Sequence, residues 1–253
     1  MEIIQFICRH DNFGILIHDK ASGLTAAIDA PDAAVIQDQL QRHNWTLDFI
    51  FVTHHHNDHV EGIHKLKEIY DAKVIGPKAE EQKIQGIDIG IDEGEPLDFG
   101  AQEIKIIATP GHTLGGVSYY FPFAKVVFTG DTLFSLGCGR IFEGNPSMMF
   151  QSLNKLKNLP DDTKIYCGHE YTLENAHFAL TIDPNNQELI NRKAAVERLI
   201  AVGEATLPTT LALEKATNPF LRYDDVDIRQ NLAMENADDA ELFAEIRKRK
   251  DKF

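Results

Sequence analysis

Thr53-His54-His55-His56-Asn57-Asp58-His59, directly after the apolar run Phe49-Ile50-Phe51-Val52, decides how the rest of the chain is read. Four of the eleven histidines fall in this one stretch. On extended backbone His54 and His56 face the same side, because side-chain direction repeats every two residues. His55 has the opposite parity, which points to a supporting place behind the ligands rather than among them. Asp58 and His59 follow where the chain turns into a helix. Two imidazoles, a carboxylate and a third imidazole on one short turn make a nitrogen and oxygen ligand set suited to zinc, iron or manganese.

Three further segments repeat the design of a β-branched or apolar run that ends in Gly and then presents a candidate ligand. Ile104–Ala108 runs into Thr109-Pro110-Gly111-His112, Lys125–Phe128 into Thr129-Gly130-Asp131, and Lys164–Cys167 into Gly168-His169. Such runs, closed by Gly or Pro, read as strands entering tight loops, where scaffolds place their chemistry. A lone histidine or aspartate is more often structural than a ligand, but four strand ends of one design point to a shared site. Counting donors gives two metals. His54, His56 and His112 make one set, Asp58, His59 and His169 a second, and Asp131 is left to bridge them. Two cations about 3.5–4 Å apart can share a hydroxide at neutral pH, which implies hydrolysis rather than metal storage.

The pattern Thr-His-x-His-x-Asp-His, with later Gly-His, Gly-Asp and Gly-His elements, resembles the metallo-β-lactamase superfamily. Gly130-Asp131-Thr132-Leu133-Phe134 with Gly137-Cys138-Gly139-Arg140, Cys167-Gly168-His169-Glu170-Tyr171-Thr172, and Asn218-Pro219-Phe220-Leu221-Arg222 narrow the resemblance to its glyoxalase II branch, the hydroxyacylglutathione hydrolases. The likeness runs from Asp11-Asn12 to the basic C-terminus. It implies an α/β fold, the four-layer αβ/βα metallo-β-lactamase sandwich, with an α-helical C-terminal domain. Its seven metal ligands fall on His54, His56, Asp58, His59, His112, Asp131 and His169. It implies two divalent metal ions, zinc first and iron or manganese as alternatives, with Asp58 and Asp131 as the catalytic carboxylates around a bridging hydroxide. It implies a small-molecule glutathione thioester as substrate, S-D-lactoylglutathione in particular, held by Arg140, Tyr171, Arg247 and Lys250. Two positions depart from the pattern: some relatives carry Lys at Arg140, and Tyr at Phe142, where this chain lacks the hydroxyl.

The chemistry fits those donors. A thioester carbonyl is already electrophilic and a thiolate leaves readily, so no strong general acid is needed. The requirements are a nucleophile and a place for negative charge. Metal binding lowers the pKa of water to about 7, and a cation can hold the tetrahedral oxyanion.

The chain has 253 residues, 43% hydrophobic and 25% charged, ordinary values for a globular protein with room for one large domain or a domain with an appendage. Its 25 basic against 39 acidic side chains give a formal charge of −14, which argues against nucleic acid as substrate. Against that background the cluster Arg247-Lys248-Arg249-Lys250-Asp251-Lys252 suits a substrate with two carboxylates. No apolar run approaches a membrane span and Met1–Ile7 lacks signal-peptide character, so a cytoplasmic location with no membrane partner is expected, as is a monomer. Cys8, Cys138 and Cys167 read as free thiols. Helical spacing is expected over Ala33–His43, Val60–Tyr70, Ser147–Asn158, Glu174–Leu180, Asn186–Gly203, Thr210–Lys215 and Ala237–Lys250, with Pro184, Pro208 and Pro219 as breaks. The change of character near 172 divides the chain into a catalytic domain, 1–171, and a helical substrate-binding domain, 172–253. Four rival readings are a mononuclear-iron persulfide dioxygenase on the same scaffold, a β-lactamase, a nuclease, and a non-catalytic metal-binding module. The full ligand set and the helical tail weigh against the first, the lack of an export signal against the second, and the acidic balance against the third. Motif specificity weighs against the last.

Overall fold

The computed structural model describes Met1–Phe253, which pack as two compact units: Met1–Ala108 with Thr113–Gly130, and Thr109–His112 with Asp131–Phe253.

In the first unit, β1 (Glu2–Ile7), β2 (Phe13–His18), β3 (Thr25–Ile28), β4 (Phe49–Phe51), β5 (Lys73–Pro77) and β6 (Ile89–Ile91) form one sheet in that spatial order. The first three pair antiparallel, and β3 to β6 pair parallel. Each parallel step needs a crossover, and helices supply two of them. α1 (Ala33–His43) links β3 to β4, and α2 (Asn57–Val60) with α3 (Ile63–Tyr70) links β4 to β5. α1 begins where the Asp32 carboxylate accepts the backbone N–H of Ala34 and Val35, and it ends at Asn44, in the left-handed region at φ +54°. It turns Ile36 and Leu40 onto Leu16, Ala27, Ile50, Val52 and Leu66. The sequence reading has one helix over Val60–Tyr70, whereas the chain starts its helix three residues earlier and interrupts it at Gly62. Gly62 donates its N–H to Ala30 O at 2.8 Å, and a Cβ there would come within 2.9 Å of the same oxygen. The interruption places Asp58 and His59 on a separate turn of helix at the end of β4.

β7 (Leu97–Phe99), β8 (Gln102–Ala108), β9 (Val117–Phe121) and β10 (Val126–Phe128) complete this unit as an antiparallel meander. Tyr119 of β9 is buried and donates its hydroxyl to Val52 O at 2.7 Å, so the meander is tied to the strand that feeds the histidine motif.

The second unit holds a two-strand hairpin, β11 (Leu133–Phe134) with β12 (Gly137–Cys138), and the pair β13 (Lys164–Tyr166) with β14 (Thr209–Thr210). Its helices are α4 (Pro146–Lys157), α5 (Thr172–Ile182), α6 (Gln187–Ala201), α7 (Leu211–Thr217), α8 (Val226–Asn231) and α9 (Asp239–Lys250). α5 and α6 close over Leu136, Ala176, Ala179 and Leu189, and the rings of Phe150 and Phe243 join α4 to α9 at 5.8 Å. α9 opens on a capping box, with Asp238 and Glu241 satisfying each other's backbone N–H. The six-residue α8, capped by Asp225, is the helix that the sequence reading lacks.

Candidate metal centre

In the first unit one buried carboxylate fastens both ends of the histidine motif. Asp29 accepts the Thr53 N–H at 2.7 Å and the Thr53 hydroxyl at 2.8 Å, and its Oδ2 lies 2.8 Å from His59 Nδ1. Asp29 sits just past β3 at φ +59°, a left-handed conformation that Asp tolerates better than most residues, and its own N–H goes to Phe51 O at 2.9 Å. His54 Nδ1 lies 3.0 Å from the Thr53 hydroxyl. With their Nδ1 atoms engaged, His54 and His59 present Nε2 as the ligand nitrogen. The His54 ring centroid lies 4.1 Å from that of His59 and 4.8 Å from that of His56. Asp58 is oriented by Asn12, whose amide donates to Oδ2 at 2.9 Å, and that oxygen is 3.6 Å from His59 Nε2. His55 instead sends its backbone N–H and Nδ1 to Glu80 Oε2, at 2.7 and 2.8 Å. Glu80 is buried and uses its other oxygen to accept the Gly115 N–H at 3.0 Å.

In the second unit, His112 and His169 point Nε2 at the same oxygen, Asp131 Oδ2, at 3.4 and 3.3 Å. His112 Nδ1 donates to Arg140 O at 2.7 Å, which again leaves Nε2 as the donor to a metal. The His169 ring stacks on Tyr171, with centroids 4.8 Å apart and planes 6° from parallel. Two glycines make this geometry possible. Gly130, at φ +48°, precedes Asp131 and would drive a Cβ to 2.5 Å from the Thr53 hydroxyl. At Gly139 a Cβ would meet Asp131 O at 1.9 Å, so the second glycine of Gly-Cys-Gly is required by the backbone that carries the aspartate.

His54, His56, His59, His112, His169, Asp58 and Asp131 each belong to a group of His and Asp side chains able to hold a metal ion. In each unit the donors are imidazole nitrogens and a carboxylate, with no thiolate among them, a set that suits divalent first-row cations. The Nδ1 partners supply the outer orientation that such a site needs. Replacing Asp29 with Ala removes the shared anchor of Thr53 and His59. It is expected to weaken metal retention by about 10–100-fold, measured as metal content after equilibration against a competing chelator.

A cavity of about 360 Å³ in the second unit has His112 and Asp131 in its lining, together with Arg140, Tyr171, Glu174, Arg247 and Lys250. Arg247 is more than a surface charge. It is buried and donates to Cys138 O at 2.9 Å, pairs with Asp251 at 2.9 Å, and lies 5.3 Å from the Phe220 ring centroid. Lys250 Nζ lies 5.3 Å from the Phe178 ring centroid, 5.2 Å from that of Phe253 and 3.3 Å from Glu174 Oε1. Burial, only partly offset by Glu174, holds its pKa below the usual lysine value. Arg140 is mostly exposed, with Nε 3.8 Å from Asp251. Phe142, the position without a hydroxyl, sets its ring edge-on to His112 at 5.3 Å.

Sequence reasoning missed Asp29, Glu80 and Glu174. Asp29 carries the best signal, an aspartate that closes the apolar run Ala26-Ala27-Ile28 much as Asp131 follows Val126–Phe128. All three cysteines are buried, and burial pushes the Cys8 thiol up to about 12 and that of Cys138 up to about 11. The thiolate is therefore scarce at neutral pH, and an aromatic disulfide reagent should label no thiol in the native protein and three after denaturation.

The chain has relatives among known proteins. Residues 25–169 match the family model of the metallo-beta-lactamase superfamily, and residues 170–253 that of the hydroxyacylglutathione hydrolase C-terminus. A hydroxyacylglutathione hydrolase of Brucella anthropi is 62% identical over 253 residues, spanning 100% of this chain and 97% of that one. One from Brucella ovis is 61% identical, over 100% and 98%. The crystal structure of ETHE1 from Myxococcus xanthus superposes with a TM-score of 0.71 at 27% identity, covering 98% of this chain and 90% of that one. BLEG-1 B3 metallo-beta-lactamase shares the fold at a TM-score of 0.66 and 22% identity, covering 87% and 99%.

Proposed function

The chain belongs to the hydroxyacylglutathione hydrolase family of the metallo-β-lactamase superfamily, and from that premise we infer that it hydrolyses S-2-hydroxyacylglutathiones, S-D-lactoylglutathione among them, to glutathione and a 2-hydroxy acid. It is a thioester hydrolase on a metallo-β-lactamase sandwich with a helical C-terminal region, and it uses divalent metal ions. The observation that carries the reading is the cavity, which brings ligand-type side chains and three cations into one lining. We assign His54, His56 and His112 to one ion, Asp58, His59 and His169 to a second, and Asp131 to both, with zinc as the metal.

Bound there, the ions supply a water that ionises near neutral pH and positive charge against the carbonyl oxygen. The protein's own part is orientation. Asp29 and Thr53 fix two of the imidazoles, Asn12 aims Asp58, and the Arg140 carbonyl aims His112. Arg140, Arg247 and Lys250 take the two carboxylates of glutathione, while Tyr171, locked against His169, offers its phenol to the peptide part. Binding energy from this remote part of the substrate holds the thioester at the ligand end. As a functional division, residues 1–171 carry every proposed ligand, and residues 172–253 add Arg247 and Lys250. No helix is long and apolar enough to cross a membrane. The free thiols and the glutathione substrate fit the reducing cytoplasm, where we place a monomer.

The test is loss of thioester absorbance with S-D-lactoylglutathione, with and without prior chelation. Turnover that chelation abolishes and added metal restores is the expected result. A fully metallated sample that turns over none would overturn the reading.

A further inference from the structure

The cavity's cations differ in what already holds them. Arg247 is committed to Cys138 O and Asp251, and Arg140 stands in solvent with Asp251 at 3.8 Å. Lys250 has 12% of its side chain exposed, has two aromatic rings beside its Nζ, and meets Glu174 at 3.3 Å. Glu174 is itself 69% exposed and lines the same cavity from the first turn of α5. A substrate carboxylate bound at Lys250 must therefore share or displace an anion that is already there. The lysine has contacts besides Glu174, since its Nζ lies 5.3 and 5.2 Å from the ring centroids of Phe178 and Phe253.

We propose that Glu174 is a competing anion at Lys250 that weakens binding of the substrate's carboxylate and so sets the affinity of the pocket. The proposal rests on the glutathione-thioester reading above. An exposed ion pair contributes about 0.2–1 kcal/mol, which makes the expected effect of removing it a gain in affinity of up to about fivefold. The gain belongs to KM rather than kcat, because the contact lies with a part of the substrate that does not react. Glu174→Gln keeps the shape and removes the charge.

Titration calorimetry with S-methylglutathione, which the enzyme cannot hydrolyse, and KM for S-D-lactoylglutathione would be measured for the wild type, Glu174→Gln, Lys250→Ala and the double variant. Tighter binding and lower KM in Glu174→Gln, with the gain lost in the Lys250→Ala background and reduced at high salt, is the expected result. Unchanged or weaker binding in Glu174→Gln, or a gain that persists without Lys250, overturns the proposal. A wild type that hydrolyses the thioester but shows either of those outcomes sinks this inference alone. A wild type that neither binds S-methylglutathione nor hydrolyses the thioester sinks the functional reading with it.

Discussion

Asp131→Ala loses both metal ions and lowers kcat/KM for S-D-lactoylglutathione by about a thousandfold or more. The expectation follows from the convergence of two imidazole nitrogens, His112 Nε2 and His169 Nε2, on one oxygen of this carboxylate at 3.4 and 3.3 Å. A side chain that contacts donors of both proposed ions cannot be removed for one alone. Loss of a single charge-stabilising group costs about 10²–10³ in kcat, and here the groups that activate water go as well. Elemental analysis of the purified variant gives the metal content, and the absorbance assay gives the rate. Near-full retention of both ions would remove Asp131 from the bridging position whatever the rate does.

Glu214→Ala should cost about 3–5 kcal/mol of stability, the cost of removing one partner from a buried ion pair. Glu214 is fully buried on α7, and Arg192 of α6 pairs with it. Its two oxygens also accept the Leu136 N–H at 2.8 Å, the Asn218 amide at 3.0 Å and the Thr209 hydroxyl at 2.8 Å. Asn218 in turn donates to Gly137 O at 3.0 Å. The network therefore ties α6, α7 and the Asn218-Pro219 turn to the β11–β12 hairpin, which carries Phe134 and Cys138 of the cavity wall. Removing the carboxylate leaves the buried Arg192 guanidinium without its counter-charge and the Leu136 N–H without this acceptor. For a chain of this size the melting temperature should fall by roughly 6–20 °C, measured by calorimetry of metal-matched samples. A shift of only a degree or two would mean that water or a shifted backbone replaces the carboxylate.

What the sequence disclosed, it disclosed through local pattern. The strand ends before His54, His112, Asp131 and His169 are legible because an apolar run, a Gly and a ligand are neighbours in the chain. Helix α1 is found to the residue because its caps adjoin it in the chain and its buried face lies within it. The gap at Gly62 is not legible, since its cause is the Ala30 carbonyl, thirty-two positions away in the chain. The role of Asp29 is hidden for the same reason, because its partners Phe51, Thr53 and His59 all come from later residues. Arg247 enters the sequence reading as a substrate contact only through the resemblance, yet the sequence itself holds a signal that the residue is buried. It follows Phe243 by one helical turn, beside Leu242 and Ile246, so it lies on the buried face of α9. The four other basic residues of the tail, Lys248, Arg249, Lys250 and Lys252, mask that periodicity. Glu174 had no such signal, because only folding brings it to Lys250.

The left-handed backbone at Asp29 bears on which sequences this position can accept. Two demands meet there: a backbone conformation that β-branched and large apolar residues strain to adopt, and an acceptor pair for Thr53 and His59. Glycine meets only the first, and glutamate only the second, with a longer reach. Asparagine meets the first and half of the second. In a saturation library scored on metal retention, this position should therefore rank its survivors by geometry first and charge second, with asparagine mildest. Drift at residue 29 is then confined to a nearly closed set of one.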